Sequence, residues 1–222
     1  MKLSNSNNKR IILAIVAVFI GIGIWLASNP KPPVMPFPGV TLLPKPLPLS
    51  QFELTDHQGN LFNNGNLKGK WSIMFFGYTH CPDICPTTLA MLNKFYKSLP
   101  TSGNSSAEQI IFISADPIRD TPQRMAEHVN YYNDKFIGLT TDSVETIKRF
   151  GEEVGVIFDY ETPDTHELIS DTASLTADSN YQVEHNASIF IVDPKGRLAA
   201  DILPPHNVDR VSKTFNLLKE YY

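Results

Sequence analysis

Two cysteines in a short motif are the residues of this 222-residue chain best suited to chemistry. Cys81 and Cys85 lie in the run FGYTHCPDICP at 76–86, which begins at the last residue of the apolar run WSIMFF at 71–76. The pattern predicts a buried strand that ends before the motif and a helix that starts at or near Cys85. Residues i and i+4 at a helix start face the same way, so the two sulfur atoms can converge. A helix N-terminus favours thiolates, which are soft donors that suit Cu(I).

The spacing of the pair leaves several roles open. The two thiols could close a structural disulfide in an oxidising compartment, remain as buried free thiols, or act as a redox pair. A thioredoxin motif has two residues between its cysteines, whereas three separate Cys81 from Cys85. This difference weakens the interpretation as a plain oxidoreductase.

A metal site at the pair would need at least one further ligand, and imidazole is the first candidate. His80 adjoins Cys81, so both short side chains would have difficulty reaching one ion. His185 directly precedes an apolar run at 187–192 and follows a long polar segment, so we expect it to swing toward the thiols. The six histidines of the chain are His57, His80, His128, His166, His185 and His206.

The remaining elements alternate between strands and helices and predict an α/β domain with a sheet sandwiched by helices over 49–222. We predict hairpins at 51–61 and 188–202, further strands at 71–76, 109–114, 136–140 and 155–160, and helices at 86–99, 121–132, 142–154 and 207–222. The segment 161–184 is polar and without clear periodicity, which predicts a long surface loop.

The N-terminal part of the chain, 1–48, does not resemble part of a core. Residues 11–27 are uncharged and would span about 26 Å as a helix, close to a hydrocarbon core of about 30 Å. Lys2, Lys9 and Arg10 precede this run, which predicts a cytoplasmic N-terminus at 1–10 and a transmembrane anchor at 11–27. A cleaved signal peptide is the alternative, although bulky Trp25 does not suit its cleavage site. Eight of the 17 prolines lie between residues 30 and 48, so 28–48 is predicted to be an extended linker.

Composition excludes several classes of protein. Lys and Arg number 19 against 23 Asp and Glu, a net charge of −4 that argues against nucleic-acid binding. Hydrophobic residues make up 42% of the chain and charged residues 19%, which is typical of globular proteins. Two cysteines exclude a multi-disulfide scaffold and a four-cysteine zinc or iron–sulfur site within one chain.

Three motifs together resemble the Sco (SenC) family of copper chaperones. They are FGYTHCPDICP, SADPIRDTP at 114–122 and VEHNASIFIVDPKGR at 183–197, in that order. The resemblance implies a thioredoxin-like, peroxiredoxin-related fold and one copper ion, Cu(I) or Cu(II), bound by Cys81, Cys85 and His185. Asp116 and Asp120 match the acidic part of the second motif, and we interpret them as supporting or helix-capping residues rather than ligands.

The resemblance also implies a role, a place and partners. The family assists assembly of the dinuclear copper centre of cytochrome c oxidase subunit II, by copper delivery, by thiol reduction or by both. The expected location is a bacterial inner membrane, with a single span and the C-terminal domain in the periplasm. Other periplasmic copper chaperones or thiol reductants are further expected partners.

Other functions remain as alternatives to a metallochaperone. A periplasmic thiol–disulfide oxidoreductase would use Cys81 and Cys85 as its catalytic pair but would give His185 no necessary role. A copper or redox sensor fits less well, because the short cytoplasmic segment 1–10 leaves little to transmit a signal. A peroxidase would need Thr and Cys three positions apart, whereas Thr79 stands two positions before Cys81.

Overall fold

A computed structural model describes residues 5–27, 38–100 and 108–222 and divides the chain into two compact units, Met1–Pro33 and Val34–Tyr222. The first unit contains helix α1 (Asn5–Ala27). The predicted transmembrane helix at 11–27 is wrong, since none of the helices in the described ranges combines the length and apolarity needed to cross a bilayer. Helix α1 begins with a polar stretch at 5–10. Its uncharged remainder is at the lower end of the about 17–25 residues that a membrane-spanning helix uses.

The second unit is built on an eight-stranded sheet. Its strands are β1 (Val40–Pro48), β2 (Glu53–Asp56), β3 (Leu61–Asn63), β4 (Trp71–Gly77), β5 (Glu108–Ser114), β6 (Ile137–Thr140), β9 (Ile189–Val192) and β10 (Arg197–Ile202). Strands β7 (Phe158–Glu161) and β8 (Gln182–His185) form a separate two-stranded sheet. The helices are α2 (Asn64–Leu67), α3 (Ile84–Ser98), α4 (Pro122–Tyr132), α5 (Val144–Val154) and α6 (Val208–Tyr221). The order in the large sheet is β1-β10-β9-β4-β5-β6-β2-β3, with β4, β5 and β6 parallel.

Strand β4 lies in the middle of the core, and its side chains alternate between the two faces of the sheet. On one face, the ring of Trp71 meets Phe215 of α6 edge-on at 5.7 Å. On the other face, Phe76 contacts Phe150 of α5 at a centroid distance of 5.8 Å. All seven residues of β4 are buried, as a strand covered on both faces requires. The helices therefore sandwich the sheet, as the alternating pattern predicts.

The domain begins earlier in the chain than the proline pattern predicts. Residues 40–48, predicted as part of a linker, form the edge strand β1, which pairs antiparallel with β10 and places Val40 opposite Ile202. Proline is compatible with an edge strand because one side of such a strand needs no N–H donors. Residues 28–37 of the predicted linker lie outside the described residues.

The predicted loop 161–184 ends in regular structure. It contains a short 3-10 helix at Thr172–Ser174, and its last residues belong to β8, which pairs antiparallel with β7. In this pairing His185 lies opposite Phe158. His185 is therefore held on a paired strand and not on a loop that swings, which corrects the expectation from the sequence. We call β7, β8 and the segment that joins them the β7–β8 hairpin.

Candidate metal centre

The two cysteines lie where the central strand passes into a helix. Strand β4 ends at Gly77 and α3 begins at Ile84, so the connecting loop carries Cys81 and the first turn of α3 carries Cys85. Cys85 is completely buried, and the two thiols are not joined in a disulfide. The helix begins one residue before Cys85, as the sequence predicts.

His185 of the β7–β8 hairpin meets the thiol pair. One nitrogen of its ring and the two sulfur atoms all lie within 4.8 Å of one another. The distance from Cys85 Sγ to His185 Nε2 is 3.9 Å. A loop, a helix and a strand thus each supply one donor atom to a common point. The three residues predicted as ligands come together, while their binding of copper stays a prediction.

An open pocket gives access to this point from solvent. It has a volume of about 200 Å³, and Cys81, Tyr78, Asp83 and His185 are among the residues that line it. The ring of Tyr78 stands edge-on to the imidazole of His185 with 6.2 Å between centroids. An ion or a partner's thiol can therefore approach Cys81 and His185 without passing through the core.

At neutral pH the two cysteine side chains hold one proton between them, and it lies on Cys85. A hydrogen bond from Cys85 and a second contact with His185 stabilise the Cys81 thiolate against the cost of burial and lower the pKa of Cys81 to about 4. The same bond and complete burial keep the proton on Cys85 and raise its pKa. Burial and the neighbouring Cys81 charge raise the pKa of Tyr78 to about 12. At neutral pH the site therefore holds one thiolate and one thiol.

Gly77 makes room for the buried sulfur. A Cβ atom at this position would lie 2.6 Å from Cys85 Sγ and 2.7 Å from the ring of Phe112. Both distances are far below van der Waals contact. A side chain of any size at residue 77 therefore competes with Cys85 for the same space.

We expect Gly77→Ala to displace Cys85, to destabilise the domain by about 1–3 kcal/mol through overpacking, and to weaken metal binding. Urea unfolding and Cu(I) competition with a chelator measure the two effects. Gly23→Ala is the matched control, since nothing lies within 4 Å of the added Cβ there. Unchanged stability and unchanged Cu(I) affinity in Gly77→Ala would contradict the assigned role.

Asp120 holds the loop that carries Cys81. Its carboxylate accepts hydrogen bonds from the hydroxyl and backbone N–H of Thr79 at 2.6 and 3.1 Å and from the hydroxyl of Ser114 at 2.7 Å. Burial raises the pKa of Asp120 to about 6. Helix α4 is capped by Thr121, whose side chain accepts from the N–H of Arg124. Asp120 therefore supports the cysteine loop and does not cap the helix.

Asp116 contacts the residue that precedes β8, the strand that carries His185. It accepts hydrogen bonds from Arg119 Nε at 2.5 Å and from the hydroxyl of Tyr181 at 2.7 Å. The Arg119 guanidinium lies 3.7 Å from the centre of the Tyr181 ring and donates to the Tyr181 carbonyl at 3.0 Å. Tyr181 immediately precedes β8. The segment 116–120 therefore anchors both the cysteine loop and the strand that carries His185.

Arg119 and Tyr181 are supporting residues that the sequence reasoning missed. Arg119 stands inside the quoted motif SADPIRDTP, so the motif could have drawn attention to it, whereas Tyr181 has no comparable signal. His80, Asp116 and Asp120 also converge within 4.8 Å, but both carboxylates are already engaged as described. The other histidines have partners elsewhere: His57 with Gly138, His128 with Phe112, His166 with Glu161 and His206 with Thr88.

The fold and the site define a class of protein: an α/β domain of thioredoxin-like architecture with a dithiol–imidazole centre at the start of a helix. Comparison with known proteins gives the family. The SCO1/SenC family model matches residues 43–219, and the chain belongs to this family. The thioredoxin-like part of the fold prediction and the Sco resemblance are confirmed.

Individual relatives agree with this assignment. The SCO2-like protein of Rickettsia felis is 31% identical over 191 residues, which cover 84% of this chain and 85% of the relative. Among solved structures, Arabidopsis thaliana ScoI with copper bound is 31% identical with a TM-score of 0.64, covering 78% of this chain and 98% of that one. Yeast Sco1 with copper bound is 29% identical with a TM-score of 0.65, covering 80% and 91%.

Proposed function

We propose that this chain binds one copper ion through Cys81, Cys85 and His185 and delivers it to the dinuclear copper centre of cytochrome c oxidase subunit II. The observation that carries the proposal is the convergence of two sulfur atoms and one imidazole nitrogen within 4.8 Å. Two thiolates and an imidazole form a soft, three-coordinate set that suits Cu(I). The copper-bound relatives support the choice of metal.

The protonation of the site fits binding and release of a cargo ion. Metal binding requires deprotonated ligands. Cys81 already carries a thiolate, whereas Cys85 must lose its proton when copper enters. Each ion bound therefore releases about one proton from the pair. The open pocket lets the thiols of an acceptor replace the ligands one after another.

A transfer experiment tests this function. The full chain is reduced, loaded with one equivalent of Cu(I) and mixed with the copper-free copper-binding domain of an oxidase subunit II. We expect copper to leave the chain and appear in the acceptor after the two proteins are separated. The double variant Cys81→Ser, Cys85→Ser is the control and should carry no copper. An acceptor that stays empty with the loaded wild-type chain would refute delivery.

Thiol reduction is the second candidate, because Cys81 is ionised at neutral pH and the thiolate is the form that attacks a disulfide. In this reaction Cys81 and Cys85 are oxidised to a disulfide, and a disulfide of the acceptor is reduced to two thiols, with two electrons and two protons passed on. His185→Ala separates the candidates, because it should spare disulfide reduction while impairing copper transfer.

The periplasmic location stays a prediction from the sequence.

A further inference from the structure

The large apolar side chains most exposed to solvent in the described part of the second unit line two pockets, one of which contains His185. Tyr131 is 83% exposed, and Ile157 and Leu168 are each 70% exposed. Ile157 and Leu168 line one open pocket together with His185. Tyr131 lines another pocket, beside His80. Single exposed apolar residues are ordinary, but Ile157 and Leu168 share one pocket with His185, and adjacent exposed apolar side chains beside a functional site are typical of an interaction surface.

Carboxylates flank the two aliphatic side chains. Asp159 and Glu184 are exposed and line the same pocket as Ile157 and Leu168. Asp83 lines the neighbouring pocket, which contains Cys81. We define the hairpin face as Ile157, Asp159, Leu168 and Glu184, which join an apolar centre to an acidic margin.

Nearby cations balance only part of this charge. The ammonium of Lys148 lies 3.7 Å from Asp159, with both side chains at least 30% exposed. An exposed pair of this kind is weak and can be exchanged for a partner's cation. His166 pairs with Glu161, which lines the same pocket as the hairpin face, so this imidazole offsets one further carboxylate there. The hairpin face therefore fits a surface with basic residues around an apolar contact.

We propose that the hairpin face is the docking surface for the copper acceptor and that the acceptor presents an apolar side chain ringed by Lys or Arg. This inference rests on the proposed function and adds the place and chemistry of the contact. Charge complementarity carries the choice of partner, because acidic and basic surfaces steer one another and fix orientation. A partner seated on Ile157 and Leu168 would lie beside His185, which shares their pocket.

The test combines a binding map with transfer rates, using the full chain and the copper-free copper-binding domain of subunit II. Methyl resonances of Ile157 and Leu168 should shift when the acceptor is added. Ile157→Ser and Leu168→Ser should each slow Cu(I) transfer about tenfold, which corresponds to about 1.4 kcal/mol. Asp159→Lys should slow transfer at low salt and remove most of its salt dependence.

Matched controls come from exposed residues outside the hairpin face. Leu61, 58% exposed on β3, and Glu220, exposed on α6, provide Leu61→Ser and Glu220→Lys. Both controls should transfer copper at the wild-type rate, and every variant should keep the wild-type Cu(I) affinity. This last measurement separates docking from damage to the metal centre.

The possible outcomes distinguish failure of the docking proposal from failure of the proposed copper delivery. If the wild-type chain and all hairpin-face variants transfer copper at the same rate, the docking surface is overturned and the delivery function is left intact. Methyl shifts confined to other residues would overturn it as well. Shifts at Ile157 and Leu168 that depend on the concentration of the chain alone would instead assign the face to a second copy. No transfer by the wild-type chain would overturn the delivery function and, with it, an acceptor on this face.

Discussion

Replacing His185 with Ala is expected to weaken Cu(I) binding by at least about 100-fold and to leave the fold intact. Loss of a residue that only supports a metal ligand typically costs about 10–100-fold in affinity, and His185 supplies one of the three donor atoms themselves. The strand should survive because its backbone pairing with β7 does not depend on the imidazole. Competition of the reduced full chain with a Cu(I) chelator measures the affinity.

His166→Ala is the matched control for this substitution. His166 belongs to the same hairpin but pairs with Glu161 and is absent from the donor set. We expect its Cu(I) affinity to stay within about threefold of wild type, since no ligand is lost. Circular dichroism should give the same spectrum for both variants. Equal affinity in His185→Ala and wild type would mean that the two sulfurs bind copper without the imidazole.

The elements that the sequence predicts best are those with strong local patterns. Strand β4 is a continuous apolar run because both faces of the sheet are covered, and its start at Trp71 is predicted correctly. Helix α4 follows from a Thr cap and a Pro in its first turn. The thiol pair is visible for the same reason, since the turn and the helix start stand in one short motif.

The elements that the sequence does not reveal depend on distant partners. Strand β8 has only four residues, all of them polar except Val183, and becomes a strand by pairing with β7. The bond from Arg119 to Tyr181 joins residues 62 positions apart, so no local pattern reports it. The motifs identify His185, but the pairing that holds it is visible only in three dimensions. An apolar run at the N-terminus likewise predicts a helix more securely than it predicts a membrane span.

The rate at which Cys81 reacts with iodoacetamide is expected to be level from about pH 6 to pH 9, whereas the rate of an ordinary thiol rises steeply over this range. The thiolate is the reactive form, and a pKa of about 4 leaves Cys81 almost fully ionised at pH 6. A thiol with the ordinary value of 9.0 would be about 0.1% ionised there, a difference of about 1000-fold in reactive species. Cys85 should stay unmodified because it is buried and keeps its proton. Peptide mapping by mass spectrometry assigns the modified residue.

The free energy of unfolding of the reduced chain should also depend on the protonation of Cys81. Between pH 4 and pH 9 the folded chain has released the Cys81 proton, whereas the unfolded chain still holds it. The unfolded state therefore binds more protons, and the contribution of Cys81 to the free energy of unfolding rises with pH across this window. That contribution is lost as the pH falls through about 4, the folded pKa of Cys81. Urea unfolding of the reduced chain at several pH values measures the slope.

Cys85→Ser and His185→Ala show which contacts stabilise the thiolate. The hydrogen bond from Cys85 is the largest cause of the lowered pKa, and His185 contributes less. Cys85→Ser should therefore change the alkylation profile of Cys81 more than His185→Ala does, and the slope of stability with pH should change in the same order. Serine still offers a hydroxyl donor, so Cys85→Ala should move the profile furthest toward pH 9. A wild-type profile that rises only above pH 8 would mean that the two thiols do not share a proton, and the hydrogen bond between them would be ruled out.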